Sequence, residues 1–251
     1  AERREHLTAL GHLVSAVLLV PEDGRALRGV LDRAFARLGE PLVSEVDERG
    51  VAHRLWLAPK TAALQEVLDA QVFLVADGNH RSLAAQQAGV GVCLAVVAEP
   101  TGLRIAPYHR LLALDLSGPE LVDRARTAGF DPVPVTTRDP DENYLVTADG
   151  TFRLTLTGAD DPVGRLPHAV LETALLRGVL HVDPAGDRVR YDADAESLVA
   201  EVRAGRATGA VLLRAVTTDE FVAVNAARLR MPRKSTWFLP KSRAGLVLAE
   251  L

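Results

Sequence analysis

Residue types that are scarce in this sequence narrow the possible classes of protein. The 251 residues include one cysteine, Cys93, which excludes an internal disulfide and a thiolate metal cluster and favours a reducing compartment. The 29 Lys+Arg residues do not outnumber the 33 Asp+Glu residues, and this balance argues against a nucleic-acid-binding surface. The apolar run after His12, about eight residues, is too short to cross a bilayer. We therefore predict a cytoplasmic protein that binds neither nucleic acid nor membrane.

The residues that are abundant predict a folded protein of mixed α/β class. Hydrophobic residues make up 48% of the chain and charged residues 25%, as in ordinary globular proteins. Helical and strand-like segments alternate along the chain, and this order is typical of α/β or mixed α+β folds. We predict helices over 25–38, 61–70, 80–88, 119–128, 167–179 and 195–204, and strands over 51–57, 72–76, 90–97, 103–106, 152–155, 188–191 and 210–213.

One segment interrupts this alternation. Asp131 to Asn143 is polar and contains proline, as interdomain connections do. We therefore predict a boundary there, between a lobe over residues 1–130 and a second α/β lobe over residues 131–251.

The segment Asp77 to Ser82 follows an apolar strand and leads into a helix. A strand that enters a helix through a tight glycine turn, here at Gly78, directs unpaired backbone N–H groups and the positive helix end at one point. The planar fork of Arg81 can hold two oxygens there, so the turn suits a phosphate or carboxylate. Asp77 could bind Mg²⁺ or accept a proton, and His80 could act as an acid or base. The alternative is a plain turn with Asn79 as the helix cap and solvated residues behind it.

The segment Met231 to Lys241 contains two of the three lysines of the chain. Lys234-Ser235-Thr236 looks like the end of a phosphate-binding loop, but the glycines that precede such a triplet are absent. Three cations, two hydroxyls and two aromatic rings remain, and they could close over an anionic ligand. On the motif alone, a basic loop with aromatic core anchors is the simpler interpretation.

The segment Pro107 to Arg110 places His109 and Arg110 next to each other after a short strand. The pair could supply a second anion contact, and a surface turn is the alternative. No metal-ligand spacing connects the other histidines, so we interpret them as structural: His6, His12, His53, His168 and His181.

Four ordered segments together resemble the prokaryotic family catalogued as domain of unknown function 1015. They are Gly50 to Trp56, Val75 to Ser82, Pro107 to Leu111 and Met231 to Lys241, which Gly245-Leu246-Val247 follows. The second segment is also similar to the phosphate-binding box of the ParB/sulfiredoxin-like fold, which includes free-serine kinases. The resemblance runs through most of the chain and implies a ParB/sulfiredoxin-like lobe with a mixed sheet.

The resemblance implies a function in phosphate chemistry. Members of the family are suspected of a role in serine metabolism, as a kinase or a phosphoserine phosphatase. For this chain, the resemblance implies an Mg²⁺-dependent phosphotransferase that uses ATP or ADP and acts on a free hydroxyl such as that of serine. Asp77 and His80 would be catalytic, with Asp77 linked to the metal. The phosphate contacts would be Gly78, Asn79, Arg81, Ser82, His109, Arg110, Lys234, Ser235, Thr236 and Lys241.

This chain departs from the family pattern at three points. Asn79 replaces the first of two histidines and Ser82 replaces an aromatic residue. Asparagine can donate to phosphate but cannot act as a base. The family also carries a further portion ahead of the segment resembling Arg4 to Val20, which a partner chain could supply. The alternative functions are therefore a nucleotide-binding switch or accessory subunit without turnover, a phosphoserine-type phosphatase, and a natural-product tailoring protein.

Overall fold

The computed structural model describes residues 9–22, 24–48, 50–99 and 102–251. The fold is mixed α/β, as the sequence predicts. The chain forms two compact units, Ala1–Leu103 with Lys241–Leu251 (unit 1) and Arg104–Pro240 (unit 2).

Unit 1 is built around a small mixed sheet. Its strands and helices are β1 (His12–Leu13), β2 (Val17–Pro21), α1 (Arg25–Phe35), β3 (Val43–Val46), β4 (Ala52–Leu55), α2 (Ala62–Asp69), β5 (Phe73–Asp77), α3 (Asn79–Gln87) and β6 (Ala95–Val97). The sheet has the order β5-β2-β6, with β2 antiparallel to β5 and parallel to β6. Val17, Leu18 and Val20 are buried on the central strand. The mixed sheet that the ParB-like resemblance implies is therefore present.

The predicted helices of unit 1 form where apolar spacing and caps coincide. Helix α1 buries Leu27 and Val30, three residues apart and so on one helix face. Thr61 caps α2, because its side chain accepts a hydrogen bond from the N–H of Leu64 at 3.2 Å. The predicted strand over 90–97 is shorter than expected, over Ala95–Val97 only, because Val92 and its neighbours at 91 and 93 are exposed.

Unit 2 contains a larger sheet with helices on both faces. Its strands and helices are β7 (Arg104–Ala106), β8 (His109–Leu112), α4 (Gly118–Thr127), β9 (Val133–Val135), β10 (Asn143–Thr147), β11 (Gly150–Leu154), α5 (Pro167–Val170), which continues as a π-helix over Leu171–Val179, β12 (Val189–Asp192), α6 (Ala195–Arg203), β13 (Gly209–Leu212), α7 (Thr218–Ala226) and β14 (Trp237–Leu239). The six-stranded sheet has the order β12-β8-β13-β10-β11-β9, and its neighbours are antiparallel. The last strand of the chain, β15 (Ala249–Glu250), belongs to unit 1 and pairs with β1.

Alternate residues of the central strands supply two separate cores. Leu112, Leu145 and Val211 pack on one face with α4 and the π-helix. Leu111 and Ala210, one position away along their strands, pack on the other face with α6. Side chains of a strand point alternately to the two faces, so both faces of this sheet are covered.

The structure corrects two expectations about unit 2. The division between compact units lies after Leu103 and after Pro240, and the predicted boundary at Asp131 to Asn143 is wrong for these units. That stretch lies inside unit 2, because β9 within it pairs with β11. The supposed surface turn at His109 and Arg110 is buried strand β8, which lies between β12 and β13.

No helix in the described part of the chain is long and apolar enough to span a membrane.

Candidate functional site

The predicted strand–turn–helix of unit 1 forms around Gly78. Strand β5 ends at Asp77, α3 begins at Asn79, and Gly78 between them has a φ of 97°. A Cβ atom on Gly78 would lie 2.9 Å from Nε of Arg81 and 3.1 Å from Cα of Val17. Only glycine combines this backbone conformation with this close packing.

The turn directs backbone N–H groups at one point. The carbonyl of Gly78 accepts the N–H groups of Arg81 at 2.8 Å and of Ser82 at 3.0 Å. Within the described residues, the N–H groups of Asn79 and His80 have no hydrogen-bond partner. Both residues are exposed, so this end of α3 offers two free donors and the positive end of its dipole to a ligand.

Two cations converge on the carboxylate of Asp77. Nζ of Lys241 lies 2.6 Å and Nη2 of Arg81 lies 3.5 Å from Oδ2 of Asp77. The N–H of Gly78 donates to Oδ1 at 2.8 Å. Burial raises the pKa of Asp77, but the hydrogen bond and charge of Lys241, the charge of Arg81 and the Gly78 N–H outweigh it, so the pKa is below its ordinary value. Asp77 is therefore a poor proton acceptor in this arrangement.

A hydroxyl group binds the Arg81 guanidinium on the nitrogen that does not face Asp77. Nη1 of Arg81 donates to Oγ of Ser15, in the segment before β2. The sequence provides no motif for Ser15, because its role depends on a contact between residues 66 positions apart. Ser82 makes a local contact, since its hydroxyl donates to the carbonyl of Asn79 at 3.0 Å.

The basic segment of residues 231–241 is divided between the two units. Lys241 belongs to unit 1 and contacts Asp77, whereas Lys234, Ser235 and Thr236 belong to unit 2. Nζ of Lys234 lies 5.0 Å from the centre of the Tyr108 ring. Ser235 is buried, and its hydroxyl donates to the carbonyl of Pro232 at 2.8 Å. The structure thus joins one residue of this segment to the Gly78 turn.

His109 and Arg110 hold the interior of unit 2 together. Arg110 is fully buried and donates to the carbonyls of Tyr108, Arg233 and Lys234 at 2.8 to 3.1 Å. Nδ1 of His109 accepts the N–H of Leu213 at 3.1 Å. These side chains bind protein groups, so the prediction that they form a second anion contact is corrected to a structural role.

The buried polar cluster around Arg110 contains further ionisable groups. Oε1 of Glu172 lies 3.6 Å from Nη2 of Arg110, and burial raises the pKa of Glu172 despite this cation. Burial, assisted by the charge of Arg110, lowers the pKa of His109 to about 4. Burial also lowers the pKa of the fully buried His168 well below its ordinary value. Both histidines are therefore neutral in the folded unit at neutral pH.

Within the described residues, no group of three or more His, Cys, Asp or Glu side chains is placed to hold a metal ion. Asp77 is the single carboxylate at the Gly78 turn. One carboxylate is sufficient for Mg²⁺ where phosphate oxygens and water complete the octahedral shell, so Asp77 fits a metal that arrives with a nucleotide.

Comparisons with known proteins identify a family and a fold. The sequence model of the family described as protein of unknown function (DUF1015) matches residues 1–169. No curated protein matches the sequence. A glutamate-to-glutamine variant of free serine kinase in complex with AMP has a TM-score of 0.52 at 14% identity, covering 94% of this chain and 78% of that one. A glutamate-to-alanine variant of free serine kinase in complex with AMP has a TM-score of 0.51 at 14% identity, covering 94% of this chain and 77% of that one. The same variant in complex with ADP has a TM-score of 0.49 at 15% identity, covering 94% of this chain and 77% of that one. At 14% identity, the two similarities with a TM-score above 0.5 show a shared fold and no more.

Proposed function

We propose that this chain, which belongs to the family described as protein of unknown function (DUF1015), is a phosphotransferase for small molecules. The Gly78 turn binds the phosphates of a nucleotide, and a phosphoryl group passes to a free hydroxyl such as that of serine. The observation that carries the proposal is the convergence of two unpartnered amides, Arg81 and Lys241 at one helix N-terminus.

The electrostatics of the turn suit a phosphate group. The amides of Asn79 and His80 donate hydrogen bonds, and the guanidinium of Arg81 can bind two phosphate oxygens. The side chains of Lys241 and Asp77 are 45% and 37% exposed, so their ion pair is screened by water and contributes little to stability. Lys241 can therefore exchange Asp77 for a phosphate at small cost.

Asp77 and His80 take the polar roles at this site. Asp77 would hold a nucleotide-bound Mg²⁺ through one carboxylate oxygen, and the metal would supply positive charge next to the transferred group. His80 lies exposed in the first turn of α3, where it can donate a proton to the terminal phosphate of the departing nucleotide. The similarity of fold to a free serine kinase that was solved with AMP supports an adenine nucleotide, ATP or ADP, as the donor.

A thermal-shift titration tests nucleotide binding at this turn. The wild type, Arg81→Ala and Arg37→Ala are compared with ATP, ADP, CTP, pyrophosphate and phosphoserine, with and without Mg²⁺. A ligand that binds only the folded state raises Tm, by roughly 5 °C at a hundredfold excess over Kd for a chain of this size. We expect Arg81→Ala to lose this shift and Arg37→Ala, an exposed arginine in the turn after α1, to keep it.

The other outcomes separate the alternative functions. Equal shifts in all three proteins would place the phosphate site elsewhere. Binding without phosphoryl transfer to any hydroxyl compound would favour a nucleotide-binding switch or accessory subunit. Release of inorganic phosphate from phosphoserine would favour a phosphatase.

A further inference from the structure

A second polar site in unit 1 lies on the hairpin of β3 and β4. The turn between the strands closes at Gly50, whose N–H donates to the carbonyl of Asp47 at 2.9 Å. Nε2 of His53 lies 3.0 Å from Oδ2 of Asp47, and the N–H of Val51 donates to Oδ1 at 2.9 Å. Both side chains of the pair are 18% exposed. The turn therefore fixes the carboxylate, and the carboxylate fixes the imidazole.

This hydrogen bond determines which ring nitrogen is available. A carboxylate accepts a proton donor, so Nε2 of His53 carries hydrogen towards Asp47 and Nδ1 keeps its lone pair. An acid that orients a histidine in this way is the arrangement by which enzymes prepare a histidine base. The interpretation of His53 as merely structural, which its spacing alone suggested, does not account for this pairing.

A cavity of about 300 Å³ adjoins the pair. Pockets for small organic ligands begin near this size. Nη1 of Arg243 lies 3.7 Å from Oδ2 of Asp47, and the N–H of Gly245 donates to the carbonyl of Val14 at 2.8 Å, which anchors the loop. The cavity is lined by Glu45, Val46, His53, Arg243, Ala244, Gly245 and Leu246.

The C-terminal segment connects this cavity to the Gly78 turn within unit 1. Lys241 contacts Asp77, and Arg243, two residues later, approaches Asp47. Consecutive Cα atoms are about 3.8 Å apart, so those of Lys241 and Arg243 lie within about 7 Å of each other. One short stretch of chain therefore contributes a cation to each site.

We propose that this cavity holds the acceptor molecule and that His53 is the general base that activates its hydroxyl. The inference rests on the proposed function. The acceptor is a small hydroxyl compound whose carboxylate pairs with Arg243. Nδ1 of His53 takes the hydroxyl proton while the oxygen attacks the terminal phosphorus of the nucleotide. The bond from that phosphorus to its bridging oxygen breaks, and the shortened nucleotide leaves with the electron pair. Asp47 is a positioning residue.

The Gly78 turn itself does not supply a strong general base. Lys241 and Arg81 hold the carboxylate of Asp77 in its charged form, where it is a weak proton acceptor. The groups that face His53 are Asp47 from the hairpin turn, Glu45 from the paired position of β3 and Arg243 from the C-terminal loop. The carboxylate of Asp47 thus contacts the imidazole, and Glu45 and Arg243 line the same cavity as His53.

The test is phosphoryl transfer from ATP or ADP to L-serine, with nucleotide binding measured in parallel by thermal shift. We expect His53→Asn to lower kcat at least about 100-fold, the usual contribution of a general base, with the nucleotide shift unchanged. The control is His181→Asn, at an exposed histidine of unit 2 whose positive φ asparagine tolerates, and it should match the wild type.

Two further variants separate the roles. Asp47→Asn should lower kcat about tenfold without raising KM, and the double variant with His53→Asn should be no slower than His53→Asn alone. Arg243→Gln, which leaves the His53–Asp47 bond in place, should raise KM for L-serine about tenfold. It should leave KM for ethanolamine, which has no carboxylate, unchanged.

The outcomes distinguish failure of this inference from failure of the proposed function. Absence of a nucleotide shift in the wild type overturns both. Nucleotide binding and transfer with unchanged kcat in His53→Asn overturns the base alone. Binding without transfer to L-serine or ethanolamine overturns the acceptor site. If His53→Asn does not fold, an unchanged KM for L-serine in Arg243→Gln overturns the proposed acceptor site.

Discussion

At the scale of single residues, the Gly78 turn depends on what a side chain would contact. Gly78 has a positive φ and no room for a Cβ atom beside Arg81 and Val17. Gly89, at the end of α3, also has a positive φ, but a Cβ atom there would meet nothing within 4 Å. The two glycines therefore separate the cost of backbone conformation from the cost of close packing.

We predict that Gly78→Ala destabilises the protein by about 2 to 4 kcal/mol, whereas Gly89→Ala costs about 1 kcal/mol, the backbone part alone. Urea unfolding followed by circular dichroism measures both. Gly78→Ala should also lose the nucleotide-dependent rise in Tm, because the added methyl displaces the Arg81 guanidinium. Similar unfolding midpoints for the two variants would contradict the packing argument.

Part of the candidate site is readable from residue types and part is not. The order of apolar strand, Asp77-Gly78 and helix predicts the turn, because local backbone rules govern it. The contact between Asp77 and Lys241 spans 164 positions, so only folding could reveal it. His109 and Arg110 were misassigned because a polar pair in a strand resembles a turn in sequence, whereas here backbone carbonyls accept hydrogen bonds from Nη1 and Nη2 of the buried Arg110.

At the scale of secondary-structure elements, caps explain one helix that the apolar pattern did not predict. Helix α7 begins after Thr217, whose hydroxyl accepts the N–H of Glu220 at 3.1 Å. The carboxylate of Glu220 in turn accepts the N–H of Thr217 at 2.9 Å. This reciprocal pair is a capping box, and the sequence Thr-Thr-Asp-Glu was its available signal. The helix buries Phe221 and Val224.

We predict that Thr217→Ala lowers the free energy of unfolding by about 1 kcal/mol, because the N–H of Glu220 loses its partner. Thr218→Ala, one residue along in the first turn, removes the same atoms from an exposed position without touching the cap. Its unfolding midpoint should stay within experimental error of the wild type. Equal losses for the two threonines would show that the cap does not stabilise α7.

At the scale of the whole molecule, each unit has its own electrostatic character. Unit 1 holds the partly exposed pair of Asp77 with Lys241 and can rearrange it around a ligand. Unit 2 buries Arg110 and His109, which belong to β8 of its six-stranded sheet, and His168, which belongs to α5. Burial keeps the histidines neutral, so we expect acid to destabilise unit 2 before it destabilises unit 1.

The pH dependence follows from the depressed pKa values of these histidines. Unfolded His109 takes up a proton near its ordinary pKa of about 6.5, whereas folded His109 does so near 4. The unfolded state binds more protons between these values, so stability is complete above about pH 6.5 and falls as the pH drops. The fall is roughly 1.4 kcal/mol per pH unit for each histidine.

We therefore expect urea midpoints at pH 7.5 to exceed those at pH 5, with a weaker dependence in His109→Asn. The asparagine amide can still accept the N–H of Leu213 but takes up no proton. His181→Asn, at an exposed position, should keep the wild-type dependence. If the pH dependence of His109→Asn equals that of the wild type, the buried imidazole does not cause it.

The sequence by itself determined the mixed α/β class, most helices and the Gly78 turn, because these follow from side-chain periodicity, caps and backbone preferences over short distances. Only the tertiary structure decided which residues of segment 231–241 reach the Gly78 turn, and where the compact units divide. It also decided that Arg110 supports a core and that His53 pairs with Asp47 beside a cavity. Those outcomes depend on burial and on contacts between distant segments, which residue spacing does not encode.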